Sequence, residues 1–196
     1  MKKIFLVLTI LFLTFSTKTI ADTSNSIQQI YEGNEDAKVT IIAYESLTCS
    51  HCADFHKNVY PKLKKEFIDT GLVKIEFRHF PLDMAAFNAS KIAQCNNDGK
   101  SDLLHFLFSN QKKWVIGETV EAINENLKKF LKDENIVIDF EKCTNNKNIE
   151  DYVLNDRIEG MKKFKVNATP TIIINNKKFD KPLNFKNLKK SIEKLI

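Results

Sequence analysis

Two cysteines separated by two residues have the types and the spacing best suited to chemistry in this sequence. Cys49 and Cys52 follow an apolar, β-branched stretch, residues 39–44, and begin a stretch with helical periodicity. A sulfur at the first turn of a helix meets unpaired N–H groups and the positive end of the helix dipole, which favour its ionised form. Sulfurs within about one helical turn can also close into a disulfide and reopen by exchange. The pair therefore predicts a redox-active site.

Within this pair, Cys49 is the candidate nucleophile, because it precedes the helix and should be exposed. We expect its pKa to lie in the range of about 3.5 to 7.5 found at such sites. Cys52, one turn into the helix, would face the core and act as the resolving thiol. His51 can donate to the Cys49 thiolate, or attract it as a cation, which would make the disulfide a stronger oxidant. Alternatively, His51 is exposed and contacts only the substrate.

Two other interpretations of the cysteine pair stay open at this point. A permanently closed disulfide would stabilise the fold and take no part in exchange. A structural zinc ion would need four ligands, and the sequence has no second closely spaced pair of Cys or His residues. We therefore predict no metal site.

Length and composition indicate one globular domain behind a short leader. The chain has 196 residues, 43% hydrophobic and 28% charged, as expected for a globular protein with a core. Residues 1–21 have the parts of a secretory signal peptide: basic residues, an apolar run and a small-residue end at Ala21. An uncleaved anchor is the alternative, but the apolar run falls short of the roughly 20 residues that span a bilayer. We predict cleavage after about Ala21 and a periplasmic protein.

Removal of the leader changes the charge balance. The leader holds Lys2, Lys3 and Lys18 and no acidic residue, so the mature chain keeps 27 basic and 25 acidic residues, a net charge of +2 instead of +5. This balance gives no reason to expect a nucleic-acid partner. All four cysteines lie beyond the leader, and an even number in an exported chain favours disulfides over free thiols.

The elements around the cysteine pair predict an α/β fold. Residues 39–44 form a strand buried on both faces, and residues 50–70 form an amphipathic helix that Pro61 kinks and Gly71 ends. Residues 72–80 alternate apolar and polar positions, which indicates a second strand. A connection of this length between neighbouring strands implies a right-handed βαβ unit.

The rest of the chain completes one domain, residues 36–196, preceded by an N-terminal tail at residues 22–35. Four helical stretches lie between residues 84 and 148, which is too much helix for a simple crossover, and we predict a helical insertion there. A further helix is expected at residues 149–164. The remaining predicted elements are a third strand at residues 169–174, a turn into residues 177–180, and a closing helix at residues 185–195.

This order of elements, with Thr169 and Pro170 opening the third strand, resembles the thioredoxin-like fold (βαβ…ββα) with an inserted helical subdomain, as in the DsbA family of exported thiol-disulfide oxidoreductases. The resemblance extends over residues 35–196. It is carried by the stretches Ser46-Leu47-Thr48-Cys49-Ser50-His51-Cys52, Phe80-Pro81-Leu82-Asp83, Cys95, and Val166-Asn167-Ala168-Thr169-Pro170-Thr171.

The resemblance implies a function and partners. The protein would be a dithiol oxidase that forms disulfides in thiol-containing secreted proteins, with the Cys49–Cys52 disulfide as its redox group and no other cofactor. A quinone-linked membrane protein would reoxidise it, and we expect a monomer. Pro170 would be a cis proline facing the cysteine pair, leaving the backbone of Thr169 free to bind substrate. The alternative for Pro170 is a device that blocks a strand edge.

Two positions depart from the pattern of this family. Ser50 replaces a proline that is common there, which leaves the direction of the redox shift open. Many relatives have a buried acid at the position of Ala43. Here Glu45, two residues further on the same strand face, is the candidate proton relay to Cys52, and a solvent-exposed glutamate is the alternative.

The remaining cysteines and histidines support weaker predictions. We predict a structural disulfide between Cys95 and Cys143, because some family members have cysteines at similar places, while a second redox pair or regulatory thiols remain the alternative. His56, His79 and His105 have no partner identifiable from the sequence, and we expect ordinary surface or half-buried residues.

Two further functions stay open. A disulfide isomerase or reductase of the same fold would use the same cysteines, but such isomerases usually carry a dimerisation domain, and residues 22–36 are too few for one. A non-enzymatic peptide-binding or chaperone module would use only the groove beside Thr169 and Pro170, with purely structural disulfides.

Overall fold

A five-stranded mixed sheet with helices on both faces forms the centre of the computed structural model, which describes residues 26–196. The strands are β1 (Tyr31–Glu32), β2 (Val39–Glu45), β3 (Val73–His79), β4 (Thr171–Ile174) and β5 (Lys177–Lys178). They lie side by side in the order β1, β3, β2, β4, β5. Strands β2 and β3 are parallel, and the other neighbours are antiparallel.

The connections between these strands are mostly helical. The helices are α1 (Ser50–Asn58), α2 (Tyr60–Leu63), α3 (Met84–Gln94), α4 (Asp102–Ser109), α5 (Gln111–Trp114), α6 (Val120–Asp133), α7 (Phe140–Thr144), α8 (Lys147–Phe164) and α9 (Phe185–Ile192), with a π-helical segment at Lys64–Ile68. The predicted α/β order with an inserted group of helices is confirmed. Among residues 26–196, none of the helices combines the length and the apolar character that crossing a bilayer requires.

Strand β2 is the centre of the sheet because both of its faces are apolar. Ile41 and Ala43 are fully buried on one face, in the core shared with α1, α2 and the inserted helices, and Glu45 ends the strand on the same face. Tyr44 lies on the opposite face against α8, where Gly160 leaves room for its ring. The sheet therefore places Glu45 beneath the helix that carries the cysteine pair.

The first helical stretch is broken where the sequence predicts a kink. Helix α1 ends at Asn58, and α2 begins at Tyr60 with Pro61 in its first turn. Proline has no N–H to donate to the preceding turn, so it is accommodated best at the start of a new helix. Gly71 follows the π-helical segment with a φ of +76°, a conformation that glycine adopts without strain.

The segment expected to be an N-terminal tail belongs partly to the sheet. Tyr31 and Glu32 pair antiparallel with β3, and Ile30 is buried in the main core. A two-residue strand is too short to produce an alternating pattern, which is why the sequence shows only turn signals there. The predicted leader, residues 1–21, lies outside the described residues.

The inserted helices are joined to one another by a disulfide. Cys95, directly after α3, is bonded to Cys143 in α7, with 5.5 Å between their Cα atoms. Both residues border apolar core. The bridge closes a loop of the insertion and involves neither sulfur of the other cysteine pair.

Candidate active site

Cys49 lies at the point where the chain leaves β2 and enters α1. It is the N-cap of the helix, with extended backbone (φ −77°, ψ 118°), and its carbonyl oxygen accepts hydrogen bonds from the N–H groups of Cys52 and Ala53 at 3.1 and 3.2 Å. Its side chain is partly exposed, whereas Cys52 has no exposed surface. The structure thus places one accessible and one buried sulfur within the first helical turn.

The surroundings of Cys49 favour the ionised sulfur. A hydrogen bond from the Cys52 thiol is the largest cause that lowers the pKa of Cys49, from its ordinary value of 9.0 to about 5. The Thr169 side chain and the backbone N–H groups of Cys52 and His51 add to this effect, while partial burial opposes it. This value lies inside the range predicted from the position of the residue.

Cys52 has the opposite electrostatic environment. Burial is the main cause that raises the pKa of its thiol far above the ordinary value, and the hydrogen bond to Cys49 and the negative charge of Glu45 raise the pKa further. At neutral pH the two sulfurs therefore differ in protonation, with Cys49 ionised and Cys52 a thiol.

The loop before β4 brings Thr169 and Pro170 against the cysteine pair. The peptide bond between them is cis, and the Cys49 thiol donates to the Thr169 carbonyl oxygen across 3.3 Å. The hydroxyl of Thr169 is buried and has no hydrogen-bond partner among the described residues. This hydroxyl is therefore available to donate to Cys49 once the sulfur loses its proton.

A groove of about 820 Å³ runs beside these residues. His51 is exposed and lines the groove together with Pro170, and no hydrogen bond of the His51 side chain occurs within residues 26–196. The apolar part of the groove is formed by Phe55, Val59, Leu183 and Phe185. This arrangement suits an extended peptide that lies along the cis-proline loop with its own sulfur above Cys49.

Glu45 is buried, so the alternative of a solvent-exposed glutamate is wrong. The residue is 4% exposed, and its Oε2 lies 2.9 Å from Nε2 of His56. Its other oxygen, Oε1, is buried and has no hydrogen-bond partner among the described residues. A buried carboxyl that affects the pKa of Cys52 and keeps one free oxygen is suited to exchange a proton with that thiol.

Comparisons with known proteins agree with this geometry. A family model described as thioredoxin matches residues 25–194. The crystal structure of alpha-DsbA1 from Wolbachia pipientis is 31% identical with a TM-score of 0.74, and the alignment covers 85% of this chain and 90% of that one. The chain belongs to the DsbA branch of the thioredoxin family.

The names of other related proteins are consistent with membership of the DsbA family. Disulfide bond formation protein D from Bacillus subtilis is 28% identical over 172 residues, which cover 83% of this chain and 74% of the relative. A Rickettsia bellii protein, provisionally named a protein-disulfide oxidoreductase, is 32% identical over 117 residues, which cover 53% of this chain. The chain spans less than half the length of the Rickettsia relatives that it matches.

The expectation that three histidines of this DsbA-family chain are ordinary surface or half-buried residues is wrong for two of them. His56 and His79 are 5% and 3% exposed, and each has a polar partner. His56 contacts Glu45, and His79 Nε2 lies 3.1 Å from the Gln94 side-chain oxygen. His105 is half-buried but contacts Glu32 at 2.6 Å. Their partners come from distant parts of the chain, so residue spacing could not identify them.

Gln111 is a second residue of the site that sequence reasoning missed. It is buried at the start of α5, and its side-chain nitrogen donates to the carbonyl oxygens of Leu47 and Cys49 at 2.8 and 2.9 Å. The inserted helices therefore hold the loop that presents Cys49. A lone glutamine in a helical stretch carries no sequence signal of such a contact.

The same loop is attached on its other side to the start of α3. Thr48 donates to the Asp83 carboxylate at 2.7 Å, and the N–H of Leu82 donates to the Ser46 hydroxyl at 3.3 Å. Asp83 also caps α3 by accepting from the N–H of Ala86. Within residues 26–196, no group of three His, Cys, Asp or Glu side chains is arranged to hold a metal ion.

Proposed function

We propose that this protein is an exported thiol-disulfide oxidoreductase that oxidises dithiols in secreted proteins. A substrate thiolate attacks Cys49 Sγ of the oxidised protein, the Cys49–Cys52 bond breaks, and Cys52 leaves as a thiolate that takes up a proton. A second substrate thiolate then attacks the substrate sulfur of the mixed disulfide, and Cys49 leaves as a thiolate. The substrate loses two electrons, and the cysteine pair gains them.

The difference between the two sulfurs is the observation that carries this proposal. Cys49 is accessible and its pKa is lowered to about 5, whereas Cys52 is buried and its pKa is raised. A stabilised Cys49 thiolate favours the reduced form, which makes the disulfide a better oxidant and Cys49 a better leaving group. A purely structural disulfide would gain nothing from this arrangement.

The groove supports a polypeptide as the substrate. The Thr169 carbonyl contacts Cys49, and Thr169 and Pro170 line the apolar groove. Main-chain pairing with an extended segment would accept many sequences, because specificity for side chains is weak in such pairing. We propose that the substrates are cysteine-containing secreted proteins and that a quinone-linked membrane protein reoxidises the cysteine pair. Residues 1–21 would direct export.

A trapping experiment tests the proposal. Oxidised protein is mixed with a reduced two-cysteine peptide, quenched with acid and analysed by mass spectrometry, and its equilibrium with glutathione is measured. We expect rapid peptide oxidation, and in Cys52→Ser a mixed disulfide located on Cys49. The double variant Cys95→Ala with Cys143→Ala serves as the control and should retain the activity.

Two results of these measurements would contradict the proposed oxidase function. Slow alkylation of Cys49 below about pH 7, together with no peptide oxidation by the wild type, would rule out the enzymatic function and favour a peptide-binding module. Rapid exchange with an equilibrium that favours reduction of the peptide would instead make the protein a reductase.

A further inference from the structure

Four titratable side chains form a continuous line that leads from the buried end of the site to a surface pocket that shares no lining residue with the substrate groove. Glu45 Oε2 lies 2.9 Å from His56 Nε2, and His56 Nδ1 lies 2.8 Å from His105 Nδ1. His105 Nε2 in turn lies 2.6 Å from Glu32 Oε1. Each imidazole uses both of its nitrogens, so a single hydrogen-bonded path joins the two carboxyl groups.

The hydrogen bonds of this path require one proton more than two neutral imidazoles carry. Its three hydrogen bonds need three protons, and two neutral imidazoles carry only two of them. When both carboxyls are ionised, one extra proton must therefore be held on the imidazoles. A proton that enters at Glu45 can displace one at Glu32 if every hydrogen bond along the line reverses, which is how such chains conduct protons.

Exposure increases along the line. The side chains of Glu45 and His56 are 3% and 2% exposed, whereas those of Glu32 and His105 are 14% and 21% exposed. Glu32 and His105 border an open surface pocket on the side of β1. The path thus begins in the buried core and ends at an open surface pocket.

The charges at the outer end favour release of a proton to water, which is the direction needed when the disulfide forms. Glu32 accepts hydrogen bonds from Tyr60, Lys64 and Ser101 as well as facing His105, and these contacts hold its pKa well below the ordinary value despite burial. Other ionisable groups near the outer end are Asp69, which pairs with Lys64, and Asp102, whose charge acts on Tyr60. Within the described residues, the hydrogen bonds and ring contacts of His56 with titratable groups are those to Glu45, His105 and Tyr60, and Cys52 precedes it by one helical turn in α1.

Aromatic side chains fix the two imidazoles in orientation. His56 stacks on Phe108 with ring centres 4.1 Å apart, and His105 stacks on Tyr60 at 4.3 Å. Phe77 packs against both imidazoles. Rings held in this way can exchange protons repeatedly without losing their alignment, which distinguishes the line from a set of incidental surface contacts.

We infer that Glu45, His56, His105 and Glu32 form a proton relay that connects Cys52 with solvent at a pocket separate from the substrate groove. When the disulfide opens, one proton enters at Glu32, the protons of the line each move one position towards Glu45, and Glu45 passes one proton to Cys52 and stays ionised. When the disulfide forms again, the Cys52 proton passes to Glu45, and one proton leaves at Glu32. The inference rests on the proposed thiol exchange, since the relay serves no purpose without it.

The free oxygen of Glu45 completes the connection. Oε1 is buried without a partner within the described residues while Oε2 contacts His56, and the negative charge of Glu45 raises the pKa of the Cys52 thiol. In the proposed relay, Oε1 exchanges a proton with Cys52 and Oε2 with His56. A bound substrate covers Cys49 and the groove beside it. An exit at a separate pocket lets the proton move while the substrate is in place.

The test measures closure of the disulfide, which needs proton transfer from Cys52, separately from formation of the mixed disulfide, which needs none. Reduced protein is mixed with excess oxidised glutathione and quenched with acid at short times, and mass spectrometry follows two events. Attack of the Cys49 thiolate forms the mixed disulfide without any proton transfer. Closure of the Cys49–Cys52 bond then requires Cys52 to lose its proton, and it should be slower in heavy water.

We expect His105→Gln to slow closure by about tenfold or more, since positioned acid-base groups contribute about a hundredfold or more to rates, so that the mixed disulfide accumulates. Formation of the mixed disulfide should be unchanged. His79→Gln is the matched control, a buried histidine beside Glu45 but outside the line, and both of its steps should match the wild type. In His105→Ala, added imidazole should restore closure, whereas pyrrole, which has the same shape and no basic nitrogen, should not.

The outcomes separate the relay from the proposed function. If the wild type neither forms nor closes the mixed disulfide, the proposed exchange itself fails. If the wild type closes rapidly and His105→Gln closes equally fast, the relay is wrong while the exchange stands. Restoration of His105→Ala by pyrrole as well as by imidazole would show that His105 only fills space, and would also overturn the relay.

Discussion

Replacing Thr169 with valine tests how the Cys49 thiolate is stabilised. The Thr169 hydroxyl is buried without a partner among the described residues while Cys49 is a thiol, and it is one of the groups that lower the pKa of Cys49. Valine has the same shape and no hydroxyl. The substitution therefore removes one donor to the thiolate and leaves the packing of the cis-proline loop almost unchanged.

The size of the effect follows from the hydrogen bond that is lost. A hydrogen bond to a charged group contributes about 1.5 to 3 kcal/mol, and solvent screening of the partly exposed sulfur reduces this by roughly half. The pKa of Cys49, about 5 in the wild type, should therefore rise by about 1 in Thr169→Val, since 1.36 kcal/mol corresponds to one pH unit.

The same change alters stability with pH in a defined direction. Because folding lowers the pKa of Cys49 from 9.0 to about 5, the ionised sulfur stabilises the reduced fold increasingly as the pH rises between these values, and the contribution is lost as the pH falls through about 5. Near neutral pH it amounts to at most about 2.7 kcal/mol, and to about 1 to 2 kcal/mol after allowance for solvent screening. Thr169→Val should remove up to about 1 kcal/mol of it.

Two measurements check these values. The ultraviolet absorbance of the thiolate gives the pKa of Cys49 in the reduced protein, and urea unfolding of the reduced and oxidised forms at several pH values gives the stability difference. Thr171→Val is the control, because the Thr171 hydroxyl donates to the Ala168 carbonyl at 2.7 Å and not to the cysteine pair. A wild-type pKa of Cys49 in Thr169→Val would refute the assigned role of the hydroxyl.

Three further substitutions have defined outcomes. Gln111→Ala should lower the free energy of unfolding by about 1 to 3 kcal/mol, because the buried Leu47 carbonyl loses its side-chain donor and the Cys49 carbonyl loses one of three donors, and it should slow peptide oxidation; an unchanged urea midpoint would contradict this. Glu45→Gln should slow disulfide closure and leave the thiolate absorbance of Cys49 near its wild-type midpoint, and unchanged closure in quenched-flow experiments would rule out Glu45 as the acceptor of the Cys52 proton. The double variant Cys95→Ala with Cys143→Ala opens a loop with a sequence separation of 48. Its free energy of unfolding, measured with urea, should fall by about 4 kcal/mol in the chain-entropy model. The folded fraction should retain peptide oxidation, and loss of oxidation there would assign this pair a redox role.

The local pattern of the chain was sufficient to predict the fold and the reactive pair. The strand at residues 39–44, the helix after it and the alternating residues 72–80 each have a periodicity that depends only on neighbours, so the βαβ unit could be predicted from the sequence. The position of Cys49 at a helix start likewise follows from local order. These features need no knowledge of contacts between distant residues.

The boundaries that were missed also have physical causes. The helix expected at residues 103–113 is divided at Asn110 into α4 and α5, because the chain turns there to bring Gln111 under the loop of Cys49. Strand β4 begins at Thr171, two residues later than expected, since Thr169 lies against the cysteine pair, where its carbonyl oxygen contacts Cys49. Both differences come from tertiary contacts of the site.

By itself, the sequence determined where a thiolate would form, because a helix start and a second sulfur three residues later are local features. Only the tertiary structure decided how protons reach the buried sulfur. The line from Glu45 through His56 and His105 to Glu32 combines residues from β2, α1, α4 and β1, and their separation along the chain hides their contact. A carboxyl or an imidazole acquires its role from what burial places beside it, and that is decided by folding.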